Sequence, residues 1–165
     1  MVAAIRCNFG QILQAVEDKL VSDAVVVDPT QIVWAVNNNV PQFISDFDII
    51  LRAMSGYRLL TDGGAWDFRW SRQIKVYIRS QSIRDMGAGN KEWVTAQFVL
   101  ADKIINSVAK DSFTPKDGLG RNLTTKSLEA IMDDGPERAN DDGTWGMSVC
   151  TIEAHYLPKI DPTTP

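Results

Sequence analysis

Residues 65–81, AWDFRWSRQIKVYIRSQ, constrain the fold more than any other stretch. Their even positions are Trp66, Phe68, Trp70, Arg72, Ile74, Val76 and Ile78, and their odd positions are Asp67, Arg69, Ser71, Gln73, Lys75, Tyr77 and Arg79. A period of two with one apolar and one polar face marks a strand that covers a core on one side. It outruns the usual strand of about five or six residues. A half-buried strand of this length needs partners on both edges, so the rest of the chain must supply a sheet.

The flanking segments supply candidates. Residues 46–54 (DFDIILRAM) alternate and are compatible with a strand or with two helical turns; strand is preferred, because they lead through Gly-rich residues 55–64 into the long strand as a hairpin. The tip of that hairpin carries Tyr57, Leu59 and Leu60, an apolar set that marks either a contact surface or a loop folded onto its own core. Residues 24–28 (AVVVD) read as a short strand stopped by Pro29. Residues 31–37 (QIVWAVN) read as another, apolar on both faces as in a central or interface strand. Asn37, Asn38 and Asn39 before Val40-Pro41 form a break. Residues 123–132 lean towards strand over short helix. Residues 145–157 (WGMSVCTIEAHYL) form the last strand, with Cys150, Ile152, Ala154 and Tyr156 on one face and Met147, Val149, Thr151, Glu153 and His155 on the other.

Two helices complete the pattern. Residues 8–22 place Phe9, Ile12, Leu13, Val16 and Leu20 on one face, with Asn8 and Gln11 spaced as a capping box. Residues 91–110 carry the stripe Val94, Phe98, Ala101, Ile105 and Val108, widened by Trp93, Leu100 and Ile104, with Asn90 as cap and Glu92 and Lys110 set against the helix dipole. The expected fold is α+β and α/β sandwich-like: a mostly antiparallel sheet of about four to five strands with two main helices packed on it. Residues 1–158 form one domain, and the Pro/Thr-rich residues 159–165 form a frayed tail.

Composition narrows the function. The chain has 165 residues, enough to bury about 70% of its unfolded surface without staples. Its net charge of −4 offers no general attraction to phosphate, so duplex DNA binding through a basic face is not expected. Cys7 and Cys150 form no CxxC, and His155 is the one histidine; a Cys/His zinc site is not expected, and the thiols read as reduced and buried. No signal-peptide core and no apolar run of about 18 residues are present. The sequon at Asn122 is read as chance.

The chain carries few residues in the spacing of a known motif. Gly87-Ala-Gly89 and Gly118-Leu-Gly120 do not extend into a nucleotide-binding loop. Asp133-Asp134-Gly and Asp141-Asp142-Gly lack the alternate spacing of a calcium loop and read as solvated turns in an acidic loop, residues 133–144; a divalent site between subunits stays open. Cys150 and His155 fall on opposite faces of one strand, which rules out a dyad between them. Glu153 and His155 share a face, with no nucleophile indicated. Aromatic and basic residues interleave at 66–79, but the tryptophans lie on the apolar face, which fits a core better than a single-strand nucleic-acid platform. No catalytic, cofactor or metal residue is assigned.

The order of elements, with DIILR, RQIKVYIRSQ, GLGRNLT and TWGMSVCTIEAHYLP, resembles the tail terminator (tail completion, neck) proteins of long-tailed bacteriophages over about residues 8–157. The resemblance implies a small α/β subunit without catalytic residues. It implies assembly as a hexameric ring on the head-proximal end of the tail tube, which stops tube growth and joins the tail to the head connector. The implied partners are further copies of the chain, the tail tube protein and the connector protein, with DNA passing through the ring unread and no membrane involved. The implied location is the virion, and the host cytoplasm during assembly. No functional residue carries over by motif. From charge, one patch of a ring interface is expected at Arg69, Lys75, Tyr77 and Arg79, and its acidic complement at Asp133, Asp134, Asp141 and Asp142. Tyr57, Leu59 and Leu60, with Arg84 and Met86 in residues 82–90, are the expected tube or connector contacts. Other neck or tail components, and a small-ligand-binding α/β module, remain alternatives.

Overall fold

The computed structural model describes residues 3–26, 28–35, 47–60, 69–80, 90–109, 112–138 and 146–159. The elements run β1 (Arg6–Cys7), α1 (Phe9–Ser22), a 3-10 turn (Pro29–Gln31), β2 (Ile32–Trp34), β3 (Phe47–Leu60), β4 (Arg69–Ser80), α2 (Asn90–Ala109), β5 (Glu129–Arg138) and β6 (Gly146–Pro158). Among the described residues the class is α+β, with two helices and one sheet. The sheet has six strands in the order β1-β6-β4-β3-β2, with β5 also paired to β6.

The sheet is mixed, which corrects the expected mostly antiparallel arrangement. β3–β4, β4–β6 and β5–β6 are antiparallel, but β2 runs parallel to β3 and β1 parallel to β6. Both parallel partners are two or three residues long. Segments that short carry no pattern from which pairing direction can be read. Among the described residues β2 stands at the rim of the sheet, so of the two places that its apolar faces implied, central or interface, the central one is corrected.

The long alternating stretch is the middle of the sheet. Ile74, Val76 and Ile78 of β4 are fully buried and lie in register with Ile152, Cys150 and Ser148 of β6. On the other side they meet Ala53, Leu51 and Ile49 of β3. Both helices pack on this face. Phe9 of α1 lies 5.3 Å from the Tyr156 ring, and Ser148 Oγ donates to Gln97 Oε1 of α2 at 2.8 Å. Arg72 shares the apolar face without breaking the core. Its guanidinium stands 4.8 Å from the Phe9 ring, and its Nε donates to the Met54 carbonyl at 2.6 Å.

Several local expectations change. Residues 55–60 belong to β3 and are not a loop tip; the register instead shifts between Ala53 and Tyr57, at Ser55-Gly56. A bulge explains the glycine as well as a turn does. Residues 133–138 belong to β5 and are not an acidic loop. The strand bends through register shifts around Asp134, where Gly135-Pro136 had marked a turn in the sequence. Residues 24–26 are not a strand, although Val25 and Val26 enter the core. They close α1: Ala24 N donates to Val21 O and Val25 N to Leu20 O, both at 3.0 Å, with Ala24 at φ 53°. This is the helix stop that usually takes glycine in the left-handed position. Ala24→Gly is expected to raise stability by about 0.5–1 kcal/mol, seen as a thermal midpoint higher by about 1–4 °C.

The α1 capping box forms as spaced. Gln11 N donates to Asn8 Oδ1 at 3.0 Å and Asn8 N to Gln11 Oε1 at 3.1 Å. The α2 stripe is rotated from its expected position: Gln97, Ala101, Ile104, Ser107 and Val108 are buried, while Phe98 is exposed. Asn90 is the first helical residue rather than a cap outside the helix. Cys7 and Cys150 are both buried and unbridged, and burial pushes the Cys7 thiol up to about 11. The expectations at residues 37–41, 61–68, 82–89, 110, 139–145 and 160–165 lie outside the described residues. Among the described residues no helix is long and apolar enough to cross a membrane.

Candidate functional site

The face of the sheet opposite the helices collects polar side chains by strand alternation alone. β4 contributes Arg69, Ser71, Gln73, Lys75, Tyr77 and Arg79, and β6 contributes Met147, Val149, Thr151, Glu153 and His155. Register sets Lys75 against Thr151, Gln73 against Glu153 and Ser71 against His155. Lys75 Nζ donates to Thr151 Oγ1 at 2.8 Å. The face also has apolar positions: Ile50 and Val149 are buried on either side of Tyr77.

Ser71, Glu153 and His155 are brought together here. Ser71 Oγ donates to Glu153 Oε1 at 2.8 Å, and His155 Nε2 lies 2.7 Å from the same oxygen. These two bonds, the His155 bond first, hold the Glu153 carboxyl below its usual range against the opposing effect of burial. An ionised carboxylate only accepts, so His155 Nε2 carries the proton between them. In a nucleophile relay the imidazole stands between hydroxyl and carboxylate. Here the carboxylate stands between the other two. The serine proton is aimed at Glu153, and His155 is already engaged. The arrangement braces β4 against β6, and its order differs from the hydroxyl–imidazole–carboxylate order of a serine relay.

The sign of the pH dependence follows. A carboxyl lowered in the folded state adds stability above its unfolded value of about 4.3, and that stability is lost as pH falls through the lower folded value. Glu153→Gln is expected to be less stable than the parent at neutral pH. The gap should close as pH falls below the unfolded value and through the folded one. Urea midpoints across that range check this; a gap independent of pH means that the charge of Glu153 contributes nothing to the brace.

A groove of about 390 Å³ lies between the end of α1 and α2, lined by Lys19, Asp23, Ala24, Val25, Lys103, Asn106 and Ser107. Asp23 is held by Lys19 at 3.1 Å and by Ser107 Oγ at 2.6 Å. Its charged lining is unlike the apolar pocket that a small-ligand module calls for. Among the described residues, no three His, Cys, Asp or Glu side chains are grouped to hold a metal.

The residues singled out from sequence fall as follows. Arg69, Lys75, Tyr77 and Arg79 share the open face, and each is half-buried. Asp133 and Asp134 lie in β5, where Asp134 pairs with Val149, itself paired with Tyr77. The basic and acidic sets thus sit on one sheet of one chain, with β6 between them. Tyr57, Leu59 and Leu60 pair along β4 with Arg72, Trp70 and Arg69. Arg84, Met86, Asp141 and Asp142 lie outside the described residues. Sequence reasoning missed Ser71 as a partner of Glu153 and Gln97 as a buried acceptor. Alternation does put Ser71 on the face of Glu153, but only the register makes them neighbours. No family model matches the chain, and no curated protein matches it.

Proposed function

We propose that this chain is a structural virion subunit, a tail-terminator-like protein. It forms a ring on the head-proximal end of a phage tail tube, stops tube growth and joins the tail to the head connector. The observation that carries this reading is where large apolar side chains meet solvent. Trp34 on β2, Phe98 and Val99 on α2, Leu119 in the loop before β5 and Ile131 on β5 are all exposed. They are spread over four parts of the fold, as in a subunit with neighbours on several sides. The Ser71–Glu153–His155 wiring supports the same reading, since it braces neighbouring strands in an order other than that of a serine relay. The half-buried basic row Arg69, Lys75, Tyr77 and Arg79 is the proposed patch for a neighbouring subunit, with Asp133, Asp134, Asp141 and Asp142 as its complement. Tyr57, Leu59, Leu60, Arg84 and Met86 are proposed contacts for tube or connector.

The test is assembly. The purified chain, examined by native mass spectrometry and negative-stain microscopy, is expected to give closed rings, with six copies the expected number. Added to polymerising tail tube protein, it is expected to shorten the tubes. Tubes of unchanged length and a chain that never exceeds a monomer would overturn the reading. Open polymers would reassign the chain to the tube.

A further inference from the structure

β3 changes register on β4 in a way that leaves a second register open to it. The pairs run straight from Phe47 to Ala53, which faces Ile74, and resume where Tyr57 faces Arg72. Met54, Ser55 and Gly56 therefore stand against Gln73 alone, two residues more than a straight ladder holds. The usual bulge adds one. In a strand, one extra residue turns over everything beyond it, whereas two keep each residue on its face and each N–H on its edge. For the same reason the outer half of β3 can slide back by two residues and turn nothing over. The straight register so reached pairs Met54 with Gln73, Ser55 with Arg72, Gly56 with Ser71, Tyr57 with Trp70 and Arg58 with Arg69. It covers β4 from Gln73 to Arg69 without a gap, while the observed one leaves Gln73 with no partner in β3.

Ladder pairing thus gives the bulged register no advantage, so another interaction must hold it. A small one is charge: straight pairing sets Arg58 against Arg69, where the observed register sets it against Ser71. The larger one is at the bulge itself. Arg72 Nε donates to the Met54 carbonyl at 2.6 Å, a bond from a charged donor to a residue that has no ladder partner on β4. The guanidinium is held in turn, 4.8 Å from the Phe9 ring of α1, and that ring lies 5.3 Å from Tyr156 of β6. One side chain therefore ties the bulge to the helix and to the neighbouring strand.

We infer that residues 54–60 of β3 form a two-position slide on β4, and that Arg72 is the latch that holds the bulged position. Release moves Tyr57, Leu59 and Leu60 by two residues, about 7 Å, along β4. Use of that movement against a tube or connector rests on the reading above; the latch and the slide do not.

Nuclear magnetic resonance of the isotope-labelled full chain provides the test, because the two registers bring different backbone protons together. Ser71 meets Arg58 in the bulged register and Gly56 in the straight one. The parent is expected to show the first contact, with microsecond-to-millisecond exchange confined within β3 to residues 54–60. Arg72→Met keeps the stem and removes the donor. It is expected to raise the ratio of straight to bulged register by about tenfold to a hundredfold and to bring up the contact between Ser71 and Gly56. Arg72→Lys, still a charged donor, should shift the ratio less. A folded Arg72→Met chain that keeps the contact between Ser71 and Arg58 alone overturns the latch. Should that variant not fold, the parent decides: exchange at residues 54–60 supports the slide, and its absence there overturns it. Ring assembly is read separately by mass spectrometry, so failure of the slide leaves the ring standing and failure of the ring leaves the slide.

Discussion

Ile152→Ala is expected to lower the unfolding free energy by about 3–5 kcal/mol. Ile152 is fully buried at the middle of β6. Its register partners are Ile74 on β4 and Ala130 on β5, and Ile74 in turn faces Ala53 on β3. The row therefore has large side chains only at its two central places. Once Ile152 is cut back, alanines cannot reach into the space, and Ile74 is fixed by its own strand. The cavity stays open, which argues for the upper part of the range seen in such substitutions. Against a total stability of about 5–15 kcal/mol, that loss is severe. The thermal midpoint should fall by roughly 6–20 °C, and the urea midpoint should fall with an unchanged slope. Ile152→Val, which removes one methylene, should cost only about 0.5–1.5 kcal/mol. Equal effects from the two variants would mean that the site collapses freely.

Arg72→Glu should be comparably damaging, for an electrostatic reason. Arg72 is a cation on an apolar face, accepted because the electron-rich face of Phe9 and the Met54 carbonyl both favour positive charge. A carboxylate there meets the same two groups with the wrong sign, at a cost of about 3–5 kcal/mol. Arg72→Met, which keeps the stem and loses the charge, should cost less, because much of the Arg72 contribution is packing. The glutamate variant carries its own check. Its folded carboxyl is raised by the apolar site, so the damage is least below the unfolded value of about 4.3 and grows as pH rises through the folded value. Protonated, it can also donate to the Met54 carbonyl. Chemical denaturation in acid and at neutral pH should show this narrowing; a deficit that ignores pH would mean that the side chain has swung into solvent.

The candidate site was legible in parts. Alternation alone placed Arg69, Lys75, Tyr77 and Arg79 on one face, and placed Glu153 with His155 on one side of β6. It also separated Cys150 from His155. The link to Ser71 was not legible, because it depends on the offset between β4 and β6. That offset is set by the fit of Ile74, Val76 and Trp70 against Ile152, Cys150 and Tyr156. A slip of one residue would send every side chain to the wrong face.

What the sequence determined by itself is local. The Asn8–Gln11 cap, the α1 face, and the two-sidedness of β4 and β6 rest on contacts within a few residues or on a period repeated many times. The tertiary structure decided the rest. β1 and β2 are too short to carry a pattern and became strands only where β6 and β3 offered open edges. Residues 133–138 have loop composition, yet they pair because β6 has an open edge beside them, and the ladder outweighs the local preference of Gly135-Pro136. Gln97 is buried in place of Phe98 because Ser148 of β6 meets it. Backbone pairing and core contacts reward a segment for its neighbours, and the neighbours exist only once the chain has folded.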